Sequence, residues 1–177
     1  MRRIVMLAAA VMMLTACEEK LRPSLVPMGE GEIPGQESWR SRVTFSDSGR
    51  VKAVLWAGHI TVYGTAQQTT MDDSIHVEFF DETGRRASIL TARRGRVDDE
   101  TRDFAAYEQV VVTSDSGTVL KTDSLFWDNQ TRKITTDAHV EITSPTEQIR
   151  GQGLISDQSL RDYRIFRVTG QAVVKEK

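Results

Sequence analysis

The chain has 177 residues, 27% of them charged, with 23 Lys and Arg against 25 Asp and Glu for a net charge of −2. That balance lacks the basic footprint of a nucleic-acid binder and gives no electrostatic hold on anionic lipid. The single cysteine, Cys17, leaves nothing to pair in a disulfide, so the folded part must hold itself together by packing.

The chain opens with a leader. Arg2 and Arg3 precede an unbroken apolar run at residues 4–14. That run is shorter than the roughly 20 apolar residues that span a bilayer, and its flanks are those of a secretory signal. Leu14-Thr15-Ala16-Cys17 resembles the lipobox of bacterial lipoproteins. The resemblance implies a signal peptide over 1–16, cleavage before Cys17, a diacylglycerol thioether on that cysteine and an acylated (palmitate-type) new N-terminus. The alternative is a plain signal peptide with Cys17 incidental. Cleavage leaves 161 residues and removes Arg2 and Arg3, so 21 Lys and Arg face 25 Asp and Glu, a charge of −4. Membrane contact then comes from acyl chains, at about 0.8 kcal/mol per buried methylene and with more than one chain needed for stable anchoring.

Residues 17–38 read as a lipid-anchored flexible tether. They hold Pro23, Pro27 and Pro34, three of the four prolines, with Gly29, Gly31 and Gly35, and show little periodicity. Fully extended at roughly 3.3 Å per residue, about 20 residues reach some 65 Å at most.

Residues 39–177 read as one all-β domain. From Val43 onward apolar residues alternate with polar ones, the mark of half-buried strands. Ile75, Val77 and Phe79 alternate with His76 and Glu78, and Ile134, Thr136, Ala138, Val140 and Ile142 share one parity. Turn clusters separate the runs, among them Asp81-Glu82-Thr83-Gly84, Asp98-Asp99-Glu100 and Asp128-Asn129-Gln130. About nine strands in an antiparallel meander are expected.

The pattern repeats every 29 to 30 residues: Leu90-Thr91-Ala92, Leu120-Lys121-Thr122 and Ile149-Arg150-Gly151 align. Val97-Asp98, Trp127-Asp128 and Ser156-Asp157 then fall in register, followed by Thr101-Arg102, Thr131-Arg132 and Leu160-Arg161. Each copy is a strand, an acidic turn and a returning strand. A lone hairpin cannot bury its apolar face, whereas stacked hairpins can, in a sheet that folds over on itself. Because residues two apart share a face, Phe104, Leu120, Phe126, Ile134, Val140, Ile142, Ile149 and Ile155 are expected to line the interior. Residues 43–62 and 164–174 are expected to form the two edges. Neither contains proline, and Phe166, Val168 and Val173 make the last strand an open partner edge.

Chemistry is sparse. His59, His76 and His139 have no ligand at metal spacing, the Asp98-Asp99 pair suits a turn, and no catalytic constellation or phosphate-cradling glycine loop stands out. No metal, cofactor or catalytic residue is assigned. Gly151 and Gly153 mark either a close sheet contact or room for a ligand. Arg93-Arg94-Gly95-Arg96, with Arg85-Arg86 before it, is either a solvated face or a site for lipid phosphate.

The leader and tether, the segment Leu120-Lys121-Thr122-Asp123-Ser124-Leu125-Phe126-Trp127-Asp128, then Ile134-Thr135-Thr136-Asp137, Val140-Glu141-Ile142 and Ile149-Arg150-Gly151-Gln152-Gly153-Leu154 together resemble the LptC family, the periplasmic component of the lipopolysaccharide export transporter. The resemblance covers residues 43–174. It implies an open, V-shaped β-jellyroll of the LptA/OstA-like kind. It also implies that acyl chains of lipopolysaccharide pass along the interior from inner-membrane ABC transporter subunits to an LptA-like periplasmic bridge protein. Well-known members carry a transmembrane helix where this chain carries a lipobox, so a gating role for that helix does not transfer. The site implied is the periplasmic side of the inner membrane. Glu18 is not the aspartate that enterobacterial sorting uses for inner-membrane retention, which leaves outer-membrane sorting open. The rival reading is a structural envelope lipoprotein that binds other proteins through its β-repeat. A periplasmic hydrolase finds no support in the residues. A continuous apolar groove favours the conduit; a closed, dry slab favours the structural protein.

Overall fold

The computed structural model describes residues 34–173. The expected signal peptide 1–16, Cys17 and most of the expected tether 17–38 lie outside them, as does Val174.

Turn chemistry sets the strand ends. Asp98 Oδ1 accepts the Thr101 amide at 2.8 Å while the Arg102 amide donates to Asp98 O at 2.8 Å. Thirty residues on, Asp128 Oδ1 accepts the Thr131 amide at 2.7 Å and Arg132 N donates to Asp128 O at 2.8 Å. Arg102 and Arg132 both take the left-handed conformation, with φ of 63° and 56°. These are two copies of one Asx-type turn. The third copy departs from the expected alignment: Leu160 is the left-handed residue there, and Asp157 Oδ1 reaches one residue further, to Arg161 N at 3.0 Å. The shift turns Leu160 inward, where it is 1% exposed in the core.

The turns connect β1 (Gln36–Asp47), β2 (Arg50–Tyr63), β3 (Gln68–Phe80), β4 (Arg86–Ala92), β5 (Arg94–Asp98), β6 (Phe104–Ser114), β7 (Val119–Asp128), β8 (Lys133–Thr143), β9 (Glu147–Asp157) and β10 (Tyr163–Val173). All belong to one antiparallel sheet in the order β1-β2-β3-β4-β6-β7-β8-β9-β10, with β5 pairing with β3 and β6. β4 and β5 thus fill one strand position, broken at Arg93, whose amide donates to Glu108 O at 3.0 Å. The N-terminal edge is β1 alone. The expected edge at residues 43–62 is corrected, because β2 lies inside the sheet between β1 and β3. β1 also begins within the expected tether.

The strands are bent along a row of bulges. Register shifts fall between Ala57 and His59, Tyr107 and Val110, Thr122 and Phe126, and Thr136 and His139. Positive φ values at Asp73, Ser74, Glu108, Gln109 and Gly153 lie on the same line. Bulges bend and twist strands, and a row of them creases a sheet. The crease brings opposite strand ends together. Phe79, near the end of β3, meets Trp127 at the other end of β7, ring centroids 5.8 Å apart. Ser88 Oγ in β4 donates to Gln158 O in the β9–β10 turn at 2.8 Å.

The result is two walls. On the first, one buried row runs through Leu55, Val77, Leu90, Val112, Leu120 and Ile142, paired strand to strand. On the second, Val97, Phe104, Trp127, Ile134, Ser156 and Tyr163 form the matching row. The core lies between them.

Candidate functional site: the groove between the walls

Where the walls diverge beside β1 and β2, they leave a groove of about 680 Å³. One wall contributes Phe45, Leu55, Val77 and Phe79; the other contributes Val97, Phe104 and Trp127. The apolar floor follows from the row pairing: Val97 opposes Phe104 and Phe104 opposes Trp127. Such a volume, lined by aromatic and aliphatic side chains together with charged ones, suits a ligand with both apolar and polar parts.

The groove's mouth is charged. Glu82, in the β3–β4 turn, accepts Lys52 Nζ at 2.9 Å and Arg132 Nη1 at 2.8 Å on Oε1, with Arg50 Nη1 3.7 Å from Oε2. The hydrogen bonds from Lys52 and then Arg132 hold the Glu82 carboxyl below the usual glutamate range. Arg132 sits in the β7–β8 turn, so this contact crosses from one wall to the other. Arg102 and Asp99 also face the groove; Asp99 accepts Thr69 Oγ1 at 2.9 Å.

The eight residues expected inside divide into three groups. Phe104 lines the groove. Leu120, Ile134, Val140 and Ile142 face inward but are sealed in the core, three of them 0% exposed, and Ile149 continues their row opposite Ile142. Phe126 and Ile155 are corrected: both lie on the outer face, linked through Thr135, which pairs with each. Phe126 is 40% exposed, while its chain neighbours Leu125 and Trp127 turn inward. The bulge between Thr122 and Phe126 reverses the parity that sequence alternation extrapolates. Phe166, Val168 and Val173 are exposed on edge strand β10.

Sequence reading missed Phe45, Trp127, Lys52, Glu82 and Arg132 as site residues. Trp127 carried a signal, since it precedes a repeated turn aspartate. The charged residues carried none, because their meeting depends on the crease. Gly151 and Gly153 resolve as close sheet contacts: a Cβ on Gly151 would lie 2.4 Å from Ile165 Cγ2, and one on Gly153 2.8 Å from Phe166 Cδ2. The arginine cluster does not line the groove: Arg94 pairs with Glu108 and Arg96 opposes Thr70 and Ala105, while Arg86 pairs with Glu78 and Asp115 and, with Arg85, lines a neighbouring pocket that also includes Glu82 and Arg132. His59 stacks on Trp39 at 5.0 Å and contacts Asp72 Oδ1 at 3.2 Å. Among the described residues no group of three or more His, Cys, Asp or Glu could hold a metal ion, and no helix is long and apolar enough to cross a membrane.

One creased sheet of ten strands, apolar inside and charged at the mouth, defines an open β-jellyroll. The chain belongs to the LptC-related lipopolysaccharide-assembly family, whose model matches residues 37–171. No curated protein matches the sequence. Membership places the chain in lipopolysaccharide transport on the periplasmic side of the envelope, in a family of transport components and not of enzymes.

Proposed function

We propose that the chain carries lipopolysaccharide by its acyl chains, taking it from an inner-membrane ABC transporter and passing it to a periplasmic bridge protein. The observation that carries this reading is the groove: aromatic and aliphatic side chains from both walls face each other across about 680 Å³ that is open at one side. A structural slab would have closed its walls over that surface, since burying apolar area at about 25 cal/mol per Å² favours closure. At the groove the walls instead meet through Phe79 with Trp127 and Glu82 with Arg132, while further along the sheet they close on the packed core.

Photo-crosslinking in cells tests it. A benzophenone side chain at Phe104 or Phe79 should capture lipopolysaccharide, and one at Phe126, Lys121 or Glu141 should not. Equal labelling from both faces would refute the groove reading. The same role calls for a membrane anchor, which we assign to lipid on Cys17. Intact mass of the membrane-extracted chain should show cleavage before Cys17 and added acyl mass, and an unacylated chain would remove the anchor.

A further inference from the structure

Three cations from two segments converge at the groove mouth on one carboxylate from a third. Arg50 and Lys52 come from the start of β2, Arg132 from the β7–β8 turn, and Glu82 is the acid between them. Stability does not account for the arrangement. The side chains of Glu82 and Arg132 are 63% and 54% exposed, and ion pairs in that setting contribute little. One carboxylate also leaves three cationic groups only partly compensated. The other acids at the mouth do not serve them: Asp99 is held by Thr69 Oγ1 at 2.9 Å and Asp47 by Ser48 Oγ at 3.1 Å. Arg102 faces the same groove with no ion pair among the described residues.

A phosphate group suits this place better than a carboxylate does. It carries more charge and three acceptor oxygens, and guanidinium groups bind it through paired hydrogen bonds. Lys52, Glu82 and Arg132 line the same groove as Phe45, Phe79 and Trp127, so a ligand with acyl chains against the aromatic side chains would present its polar headgroup here. We propose that Arg50, Lys52 and Arg132 form a phosphate site for the headgroup of a phosphorylated, acylated glycolipid, and that Glu82 is its internal competitor. Binding displaces the carboxylate, and because Arg132 belongs to the opposite wall, displacement also releases the bridge across the mouth. Recognition of the phosphate and opening of the groove are then one event. The inference rests on the lipid-carrier reading above and specifies which lipids that groove prefers.

The test compares diphosphoryl lipid A with the same lipid stripped of both phosphates, titrated against the full chain in detergent. The wild type should prefer the phosphorylated form by about tenfold, the scale of one charge-assisted contact set. The double variant Lys52→Gln, Arg132→Gln should lose that preference while keeping its affinity for the stripped lipid. Glu82→Gln should bind the phosphorylated lipid several-fold more tightly and the stripped lipid unchanged. Spin labels at Ser46 and Asn129, on the two lips of the groove, should move apart in Glu82→Gln and in wild type with diphosphoryl lipid A. Circular dichroism of each variant confirms its fold. Equal wild-type binding of both lipids would overturn the phosphate site and leave the carrier reading standing. A preference that persists in the double variant, or a Glu82→Gln variant indistinguishable from wild type, would also overturn it. Binding of neither lipid would overturn both.

Discussion

Single carboxylates hold the turns of this molecule. Asp98 is exposed and Asp128 half-buried, yet each sits below the usual aspartate range, chiefly because the Thr101 or Thr131 amide donates to the ionised form. Asp81 is lowered as well, first by the Thr83 hydroxyl. A carboxyl whose folded pKa is depressed stabilises the fold above its unfolded value of about 3.9, and that contribution is lost as pH falls through the folded value. Asp98→Asn with Asp128→Asn keeps an acceptor oxygen in each turn and removes the charge. The double variant should melt below wild type at pH 7, and the two curves should converge under acid conditions, where the wild-type carboxylates are protonated too. Thermal melts from pH 7 to pH 2 measure this. A gap that is constant with pH would show that the charge is irrelevant to these turns.

At the scale of the strand, the governing feature is how each one crosses the crease. Count from the last inward residue before the bend to the first after it. The step is three in β2 (Ala57, Ile60), four in β3 (Met71, Ile75), three across β4 and β5 (Ala92, Gly95) and four in β6 (Ala106, Val110). It is three again in β7 (Thr122, Leu125), four in β8 (Thr136, Val140) and three in β9 (Gly151, Leu154). A step of four preserves two-residue parity; a step of three reverses it. This decides what the sequence could reveal. In β6 and β8 plain alternation carries through the bend, so Phe104 and Ile134 were legible as inward-facing. In β7 and β9 the same extrapolation puts Phe126 and Ile155 on the wrong face. No residue type marks the reversal in β7, because Asp123 reads as an outward polar residue and Ser124 as a small residue continuing the parity of Leu120 and Phe126. The first half of β1 was hidden for another reason: most of residues 36–42 are exposed, so that stretch has no apolar alternation to detect. The parity change has an energetic consequence. Leu125→Ala should cost about 2–5 kcal/mol, as for a buried leucine, whereas Phe126→Ala should cost under about 1 kcal/mol despite removing the larger side chain. Urea denaturation of the two variants decides it; a larger loss at Phe126 would contradict the outer placement.

For the whole molecule, the question is what an open sheet does with its two ends. β1 and β10 each pair on one side, with β2 and β9, and leave the other row of backbone groups without a strand partner among the described residues. Soluble proteins usually guard such edges with proline, inward charge or short strands. β10 is 11 residues long, contains no proline and exposes Phe166, Val168 and Val173 at 59%, 57% and 77%. An edge of that kind either aggregates or accepts another strand. In a lipid-transport family the second outcome has a purpose, because adding a strand would extend the creased sheet, and its groove, into the next protein. β1 is the first strand in the chain after the anchor proposed at Cys17, so its edge should face the transporter and β10 the bridge protein. Proline at Val168 removes a backbone donor and clashes within a strand, without touching the core rows. Val168→Pro, or deletion of residues 164–177, should therefore abolish co-purification of the periplasmic bridge protein while the transporter is retained. Circular dichroism would first confirm that the remaining strands fold. Loss of the transporter with the bridge protein retained would reverse the polarity of the two edges, and retention of both would remove β10 as a docking edge.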